Sequence, residues 1–359
     1  MTKTQGLRLA VFMALLGIIL NTVIGVFGLP ADGGTISIKR RFGEFYNEPE
    51  DTWDCVLVGT SCVDREWVAP MAWNDYGMAA YAMNTAVQPI VFTTNLLDEV
   101  RKKQDVKVAV VDIRGIRMET LKPDEAKFRR VTDSMEPSIN RWKTVKKALQ
   151  YSKEYYMRDD VEDEPKELDE AAMYFSFLKY HTRWKSGLYD IDFLGTSSEL
   201  KGVYEERAFD TKKVKPTEVT RDVQELNDLQ KSILDEIIEY GEDEGVEILF
   251  ISSPSQLSQN EQIEINTAIQ YLEEKGANAI NFNTQEKYNE IGIDFSEDLY
   301  DKHHLNSRGA VKFTKYFSKY LYDNYQFEDK RGREEYQEWD EAYRKYVEFY
   351  EDGWNRADK

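Results

Sequence analysis

The stretch VKVAVVDIRG, residues 106–115, constrains the fold of this chain more than any other feature. Its apolar positions are nearly continuous and mostly β-branched, and it ends at Asp112, Arg114 and Gly115. A short run that is apolar on both faces suits a strand covered on both sides, as in the middle of a parallel sheet. CVLV (55–58), VEILFISSP (246–254) and the weaker ANAINFNT (277–284) repeat the pattern. Helical patterns lie between them: a helix within 89–104, and QNEQIEINTAIQYLEEKG (259–276), which stops at Gly276. This alternation predicts an α/β layer fold around a parallel sheet. Ligands of such sheets bind beyond the carboxyl ends of the strands. Gly59-Thr60-Ser61, Asp112-Ile113-Arg114 and Ser252-Ser253-Pro254 occupy such ends.

Other segments do not alternate. Residues 1–8 carry Lys3 and Arg8, and 9–29 hold no charge, with Asn21 and Thr22 the clearly polar members. About 20 apolar residues span a bilayer core as a helix. The stretch is long for a cleaved signal peptide and no A-x-A site follows, so a retained membrane anchor is expected at 9–29. The basic tip predicts a cytoplasmic N-terminus and an extracytoplasmic globular part. Residues 30–52 are rich in Gly and charge and read as a tether; 63–83 mixes helix and loop. The main domain is then 53–325. Within it, 116–245 reads as a helical insertion, a lid or substrate wall, built from RWKTVKKALQYSKEYYM, LDEAAMYFSFLKYHTRW and TEVTRDVQELNDLQKSILDEIIEYG. The tail, 326–359, places Tyr336, Trp339, Tyr343, Tyr346 and Tyr350 on one face of an amphipathic helix. That face suits packing on its own domain; binding a partner or glycan is the alternative.

Composition narrows the function. A formal net charge of −19 over 359 residues argues against nucleic acid, which needs a basic footprint. It also argues against anionic lipid over the surface as a whole, while leaving room for a local basic patch. Hydrophobic residues at 41% exclude a disordered chain. Cys55 and Cys62 flank an extended strand and turn, too far apart for a disulfide, and read as free thiols. No glycine-rich phosphate loop follows a strand, and no metal spacing is present, so neither cofactor nor metal is expected.

The chain has three histidines, His181, His303 and His304, which limits the partners available to a serine. In DLYDKHHLNSRGAVKFTKYFSKYL (298–321), Asp301 precedes His304 by three residues at the entry to an amphipathic helix. A carboxylate so placed can bond the ring Nδ1–H and leave Nε2 to accept a serine proton. Ser61 follows a buried strand and is the candidate nucleophile; helix capping is its plainer reading. Ser197 in the repeated Gly195-Thr196-Ser197 follows no such strand and reads as a loop serine. His303 is expected at the surface. His181, with Tyr180 and Trp184, reads as structural, or with Arg183 as part of a substrate cleft. Asp112 and Arg114 read as a salt-bridged strand end or as substrate contacts.

VLVGTSCV, YAMNTAVQPI, VVDIRG, LKYHTRW followed by SSELKG, and DLYDKHHLNSRGAVKFT together resemble the SGNH (GDSL-like) hydrolase family over about 50–325. They are closest to a branch that includes proteins of lipoteichoic acid D-alanylation and polysaccharide O-acetyltransferases. The resemblance implies a flavodoxin-like three-layer fold. It implies Ser61 as nucleophile, His304 as general base, Asp301 as its orienter, and the Ser61 backbone N–H as an oxyanion donor. Asn84 occupies the position of the family's oxyanion glycine and offers its backbone N–H or its side-chain amide. Thr60 replaces the usual Asp of Gly-Asp-Ser, and VVDIRG lacks the family's third-block Asn, for which Arg114 could substitute. The expected function is a membrane-anchored extracytoplasmic serine esterase or O-acyltransferase. It would act on acyl groups of a surface polymer or glycan, beside a multi-spanning membrane acyltransferase. A non-catalytic domain of the same fold, binding glycan or a membrane partner, is the alternative.

Overall fold

The computed structural model describes residues 2–27, 33–187 and 199–357. Ser197 lies outside the described residues. Five parallel strands form one sheet in the order β2-β1-β3-β4-β5. They are β1 (Cys55–Val58), β2 (Ala80–Ala82), β3 (Val108–Asp112), β4 (Glu247–Ser252) and β5 (Asn278–Asn281). Every residue of β1 and β3 is buried, as continuous apolar runs require of strands covered on both faces. Val56 pairs with Ala109 and Val110 with Leu249, so the three apolar strands run side by side. Strand order reverses between β1 and β3, and in doubly wound sheets that reversal opens a crevice at the carboxyl ends.

The N-terminal helix α1 (Lys3–Phe27) is long and apolar enough to cross a membrane, and none of its residues 3–20 is buried. Thr22 donates its hydroxyl to the carbonyl of Ile18, which satisfies a polar group inside the apolar stretch. Residues 28 and 29 of the expected span lie outside the described residues.

Residues 33–47 are not a tether. They form α2 (Gly33–Asn47), with Ile38, Phe42 and Phe45 buried in the main core. The spacing 38, 42, 45 is one helical face. Three of the charges that suggested a linker, Arg41, Glu44 and Glu48, are buried: Glu44 accepts from Tyr81 Oη at 2.6 Å, and burial pushes its carboxyl up to about 8. Trp53 then stacks on Tyr81 at 4.4 Å, which closes the β2 edge of the sheet.

Short helices α3 (Ser61–Glu66) and α4 (Ala69–Tyr76) follow β1, and α5 (Thr93–Val100) follows β2. The insertion begins with α6 (Met118–Leu121) and α7 (Glu125–Thr132). It continues through α8 (Ile139–Tyr156), α9 (Glu170–Tyr174) and α10 (Ser176–Tyr180). It ends earlier than the pattern suggested. Residues 217–227 are extended, held by side chains of a later helix: Thr220 N donates to Gln262, Gln224 N to Thr267, and Asn266 Nδ2 to the carbonyl of Thr220. Helix α11 (Asp228–Glu244) starts at an Asn227–Gln230 capping box and packs on β4, so it is the crossover helix of the sheet rather than insertion. The helix that holds the extended strap is α12 (Gln259–Glu274), followed after β5 by α13 (Gln285–Ile291) and α14 (Ser307–Tyr325).

The C-terminal α15 (Gln337–Ala357) packs on α4. Trp73 stacks on Tyr336 at 5.3 Å, lies 5.8 Å from Trp339, and donates its indole N–H to Asp340. The aromatic face at 336–350 is therefore directed at its own domain. Both cysteines are free and buried.

Candidate active site

Strand β1 runs straight into the turn that carries Ser61. Gly59 has φ +152, and a Cβ there would come within 2.7 Å of the Asp112 side chain. Only glycine lets the two strand ends come this close. Thr60 is extended at the N-cap position, and Ser61 is the first residue of α3. Its N–H, at the head of the helix, has no intrahelical acceptor.

The second half of the site is a tight loop before α14. Leu299 bridges Leu305, Tyr300 N donates to the carbonyl of His304, and Asn306 N donates to that of Asp298. Asn306 caps α14 by accepting from the N–H groups of Arg308 and Gly309. Gly309 sits so close to the loop that a Cβ would fall 2.5 Å from the Asp298 carbonyl. Asp301 Oδ1 accepts from the backbone N–H of His303 at 2.8 Å and of His304 at 3.0 Å. Both its oxygens lie 3.0 Å from His304 Nδ1. His304 Nε2 is 2.8 Å from Ser61 Oγ. With its proton on Nδ1, held by the carboxylate, the ring presents Nε2 as an acceptor to the serine hydroxyl.

Electrostatics favour that state. Burial pushes the His304 imidazole below its ordinary value; the Asp301 bond pulls it back up, and the charges of Arg65 and Arg114 push it down again. The balance favours the neutral ring. Burial alone would raise the Asp301 carboxyl, but the bond and charge of His304 and the two backbone N–H groups hold it well below the usual range. A neutral base beside an ionised orienter is what proton removal from a serine requires.

Asn84 does not offer its side chain to a ligand. Its Nδ2 donates to the carbonyl of Thr60 and to Asp64 Oδ1, each at 2.9 Å, so both amide protons are engaged. Its own carbonyl accepts from Arg41 at 2.8 Å. Asp64 is also bound by Arg41 and, at 3.0 Å, by Arg65. Burial would raise the Asp64 carboxyl, yet these two guanidinium groups bring it below the ordinary value. Helix α2 thus braces the turn that holds the serine.

Asp112 and Arg114 are likewise turned inward. One Asp112 oxygen accepts from Arg114 N and the other from Ser253 N, each at 3.0 Å. The Arg114 guanidinium donates to the carbonyls of His303 at 3.0 Å and Ser253 at 3.4 Å. They join the ends of β3 and β4 to the histidine loop by hydrogen bonds, and the strand end is not closed by an ion pair between them. His303 is half-buried beside Arg114, not free at the surface. His181 is exposed at the end of α10, its Nδ1 bonded to the carbonyl of Leu178, and α10 packs with α9 and beside α1. Arg183 is buried in the turn that follows.

Sequence reasoning missed one wall of the site. Tyr300 lies parallel to the His304 ring at 5.3 Å, and Arg65 Nε donates to its hydroxyl. Arg65 also donates to the Ser61 carbonyl at 3.1 Å and sits 3.9 Å above the Tyr204 ring. Arg207 covers Tyr300 at 4.7 Å. Arg65 is one helical turn beyond Ser61, and Tyr300 directly precedes Asp301, so both had a local signal. Tyr204 had none.

Fold and site together define a class: a parallel α/β protein with a serine, a histidine and an aspartate aligned where the strand order reverses. Comparisons with protein families, curated proteins and solved structures found no match to this chain.

Proposed function

We propose that this chain is a membrane-anchored serine acyltransferase or esterase of the SGNH (GDSL-like) type. It acts outside the cytoplasm on acyl groups of a cell-surface polymer. The single observation that carries this reading is the unbroken line Asp301–His304–Ser61, with Nε2 at 2.8 Å from Oγ and Nδ1 at 3.0 Å from the carboxylate. Ser61 Oγ attacks an ester or thioester carbonyl while His304 Nε2 takes its proton. The imidazolium, stabilised by Asp301, returns that proton to the leaving oxygen or sulfur as the C–O or C–S bond breaks. An acceptor hydroxyl then gives its proton to His304 and attacks the acyl-enzyme carbonyl; the imidazolium returns that proton to Ser61 Oγ as the serine ester bond breaks. The backbone N–H groups of Ser61 and Asn84 are the oxyanion donors in this reading, since the Asn84 side chain is engaged and Arg114 binds backbone carbonyls.

Transfer is favoured over hydrolysis by α1, which would hold the domain near acyl donors delivered through the membrane, with a multi-spanning acyltransferase as partner. The basic tip puts the N-terminus inside and the domain outside. The test is labelling of the full-length protein with a fluorophosphonate. Wild type should label and Ser61→Ala should not. A folded wild-type chain that stays unlabelled would overturn the reading and leave a binding domain in its place.

A further inference from the structure

Five of the seven tryptophans, Trp53, Trp67, Trp73, Trp339 and Trp354, are buried. The other two are exposed and both lie in the insertion. Trp142, on α8, is 48% exposed, and Trp184, in the turn after α10, is 61% exposed. Ile139, Phe175 and Leu178 of the same insertion are also exposed. Ring contacts join part of this set: Trp142 stacks on Tyr174 at 4.5 Å and meets the edge of Phe175 at 5.9 Å, tying α8 to the junction of α9 and α10. Ile139, Trp142, Lys143 and Lys146 share the outward face of α8 by their spacing, and both lysines are exposed. Lys185 extends beside Trp184. In a strongly acidic chain, this face combines apolar side chains with amines.

Scattered exposed apolar residues need no explanation, but a joined set does. The second observation identifies what covers it. Helix α10 packs beside α1, the helix able to cross a membrane. If α1 crosses the membrane, a domain helix in contact with it stands at or near the bilayer. Trp with Lys is the side-chain pairing that suits that depth: the ring sits at headgroup level and the amine reaches phosphate.

We propose that the face formed by Ile139, Trp142, Phe175, Leu178 and Trp184 rests on the lipid bilayer, with Lys143, Lys146 and Lys185 at the anionic headgroups. It is a second membrane contact, separate from α1, and it would fix how the domain stands on the membrane. This inference does not depend on the chemistry of Ser61.

The test uses the full-length protein in nanodiscs of phosphatidylcholine and phosphatidylglycerol whose acyl chains are brominated near the headgroup. Helix α1 contains no tryptophan, so bromine quenching reports the domain. Wild-type emission should fall relative to unbrominated discs, and the quenched fraction should vanish in the Trp142→Phe/Trp184→Phe double variant. Acrylamide should reach these two rings in detergent and lose access to them in discs. Lys143→Glu/Lys146→Glu should lose any quenching gained on adding phosphatidylglycerol. Equal quenching in wild type and double variant would overturn the proposal. So would rings that stay open to acrylamide in discs, the result expected if the face is reserved for a protein partner.

Discussion

The carboxyl ends of β1 and β3 lie side by side, close enough that only Gly59 fits between them, yet they hold their polar side chains in opposite ways. At the β1 end, Ser61 points out of the turn and its hydroxyl meets a single side chain, His304. At the β3 end, Asp112 and Arg114 are buried and hold backbone groups of Ser253 and His303. Polar residues gather at both ends, so position in the sheet does not by itself separate a candidate reacting group from a brace. What separates them is whether the hydrogen-bonding capacity of the side chain is already taken up by the protein.

Substitutions at the two ends should therefore divide activity from stability in opposite ways. Ser61→Ala should abolish fluorophosphonate labelling and lower turnover by about 10⁴–10⁶-fold, the scale seen when a triad serine is removed. Its melting temperature should match wild type, because the hydroxyl fills no cavity and satisfies no buried backbone group. Asp301→Asn should keep the fold and lose about 10⁴-fold in kcat/KM, since an amide that accepts the two backbone N–H groups turns the wrong face to Nδ1. Unchanged kcat/KM in that variant would remove Asp301 from the mechanism.

Asp112→Ala tests the other side. It leaves the N–H groups of Arg114 and Ser253 buried without acceptors, at about 1–3 kcal/mol each. Denaturant unfolding should show that loss, with labelling of the folded fraction reduced far less than by Asp301→Asn. Abolished labelling at unchanged stability would mean that Asp112 belongs with the reacting groups, and the contrast between the two strand ends would fail.

The same contrast explains what could be read from the sequence. Strands β1, β3 and β4 were legible because burial on both faces demands continuous apolar runs, whereas β2 is only Ala-Tyr-Ala and carries no pattern. Ser61, Asp301 and His304 were legible because histidine is scarce and the aspartate is local. Braces were harder to place. Helix α2 was hidden by its charges, whose partners Asp64 and Tyr81 come from distant parts of the chain, as does Lys201, the partner of Glu48 just after it. The 217–227 strap resembled a helix because its polar spacing serves side chains of α12 rather than its own backbone. A charged residue looks the same in a sequence whether it meets solvent or a buried counterion.

The smallest expected effect concerns pH and bears on the electrostatics of the β1 end. The base must be neutral to accept the Ser61 proton. Burial and the nearby charges of Arg65 and Arg114 outweigh Asp301 and set the His304 value below that of a free imidazole. Protonation therefore sets in at a lower pH than for a free imidazole. The acid limb of the kcat/KM profile should lie below the pH expected for a free imidazole and fall about tenfold per unit beyond it. Arg65→Met removes one cation that disfavours the imidazolium, so the acid limb should move to higher pH while Asp301 and Ser61 keep their contacts. Asp112→Ala leaves Arg65 in place and should leave the limb where it was. A limb that moves equally in both variants would mean that it reports opening of the loop rather than titration of His304.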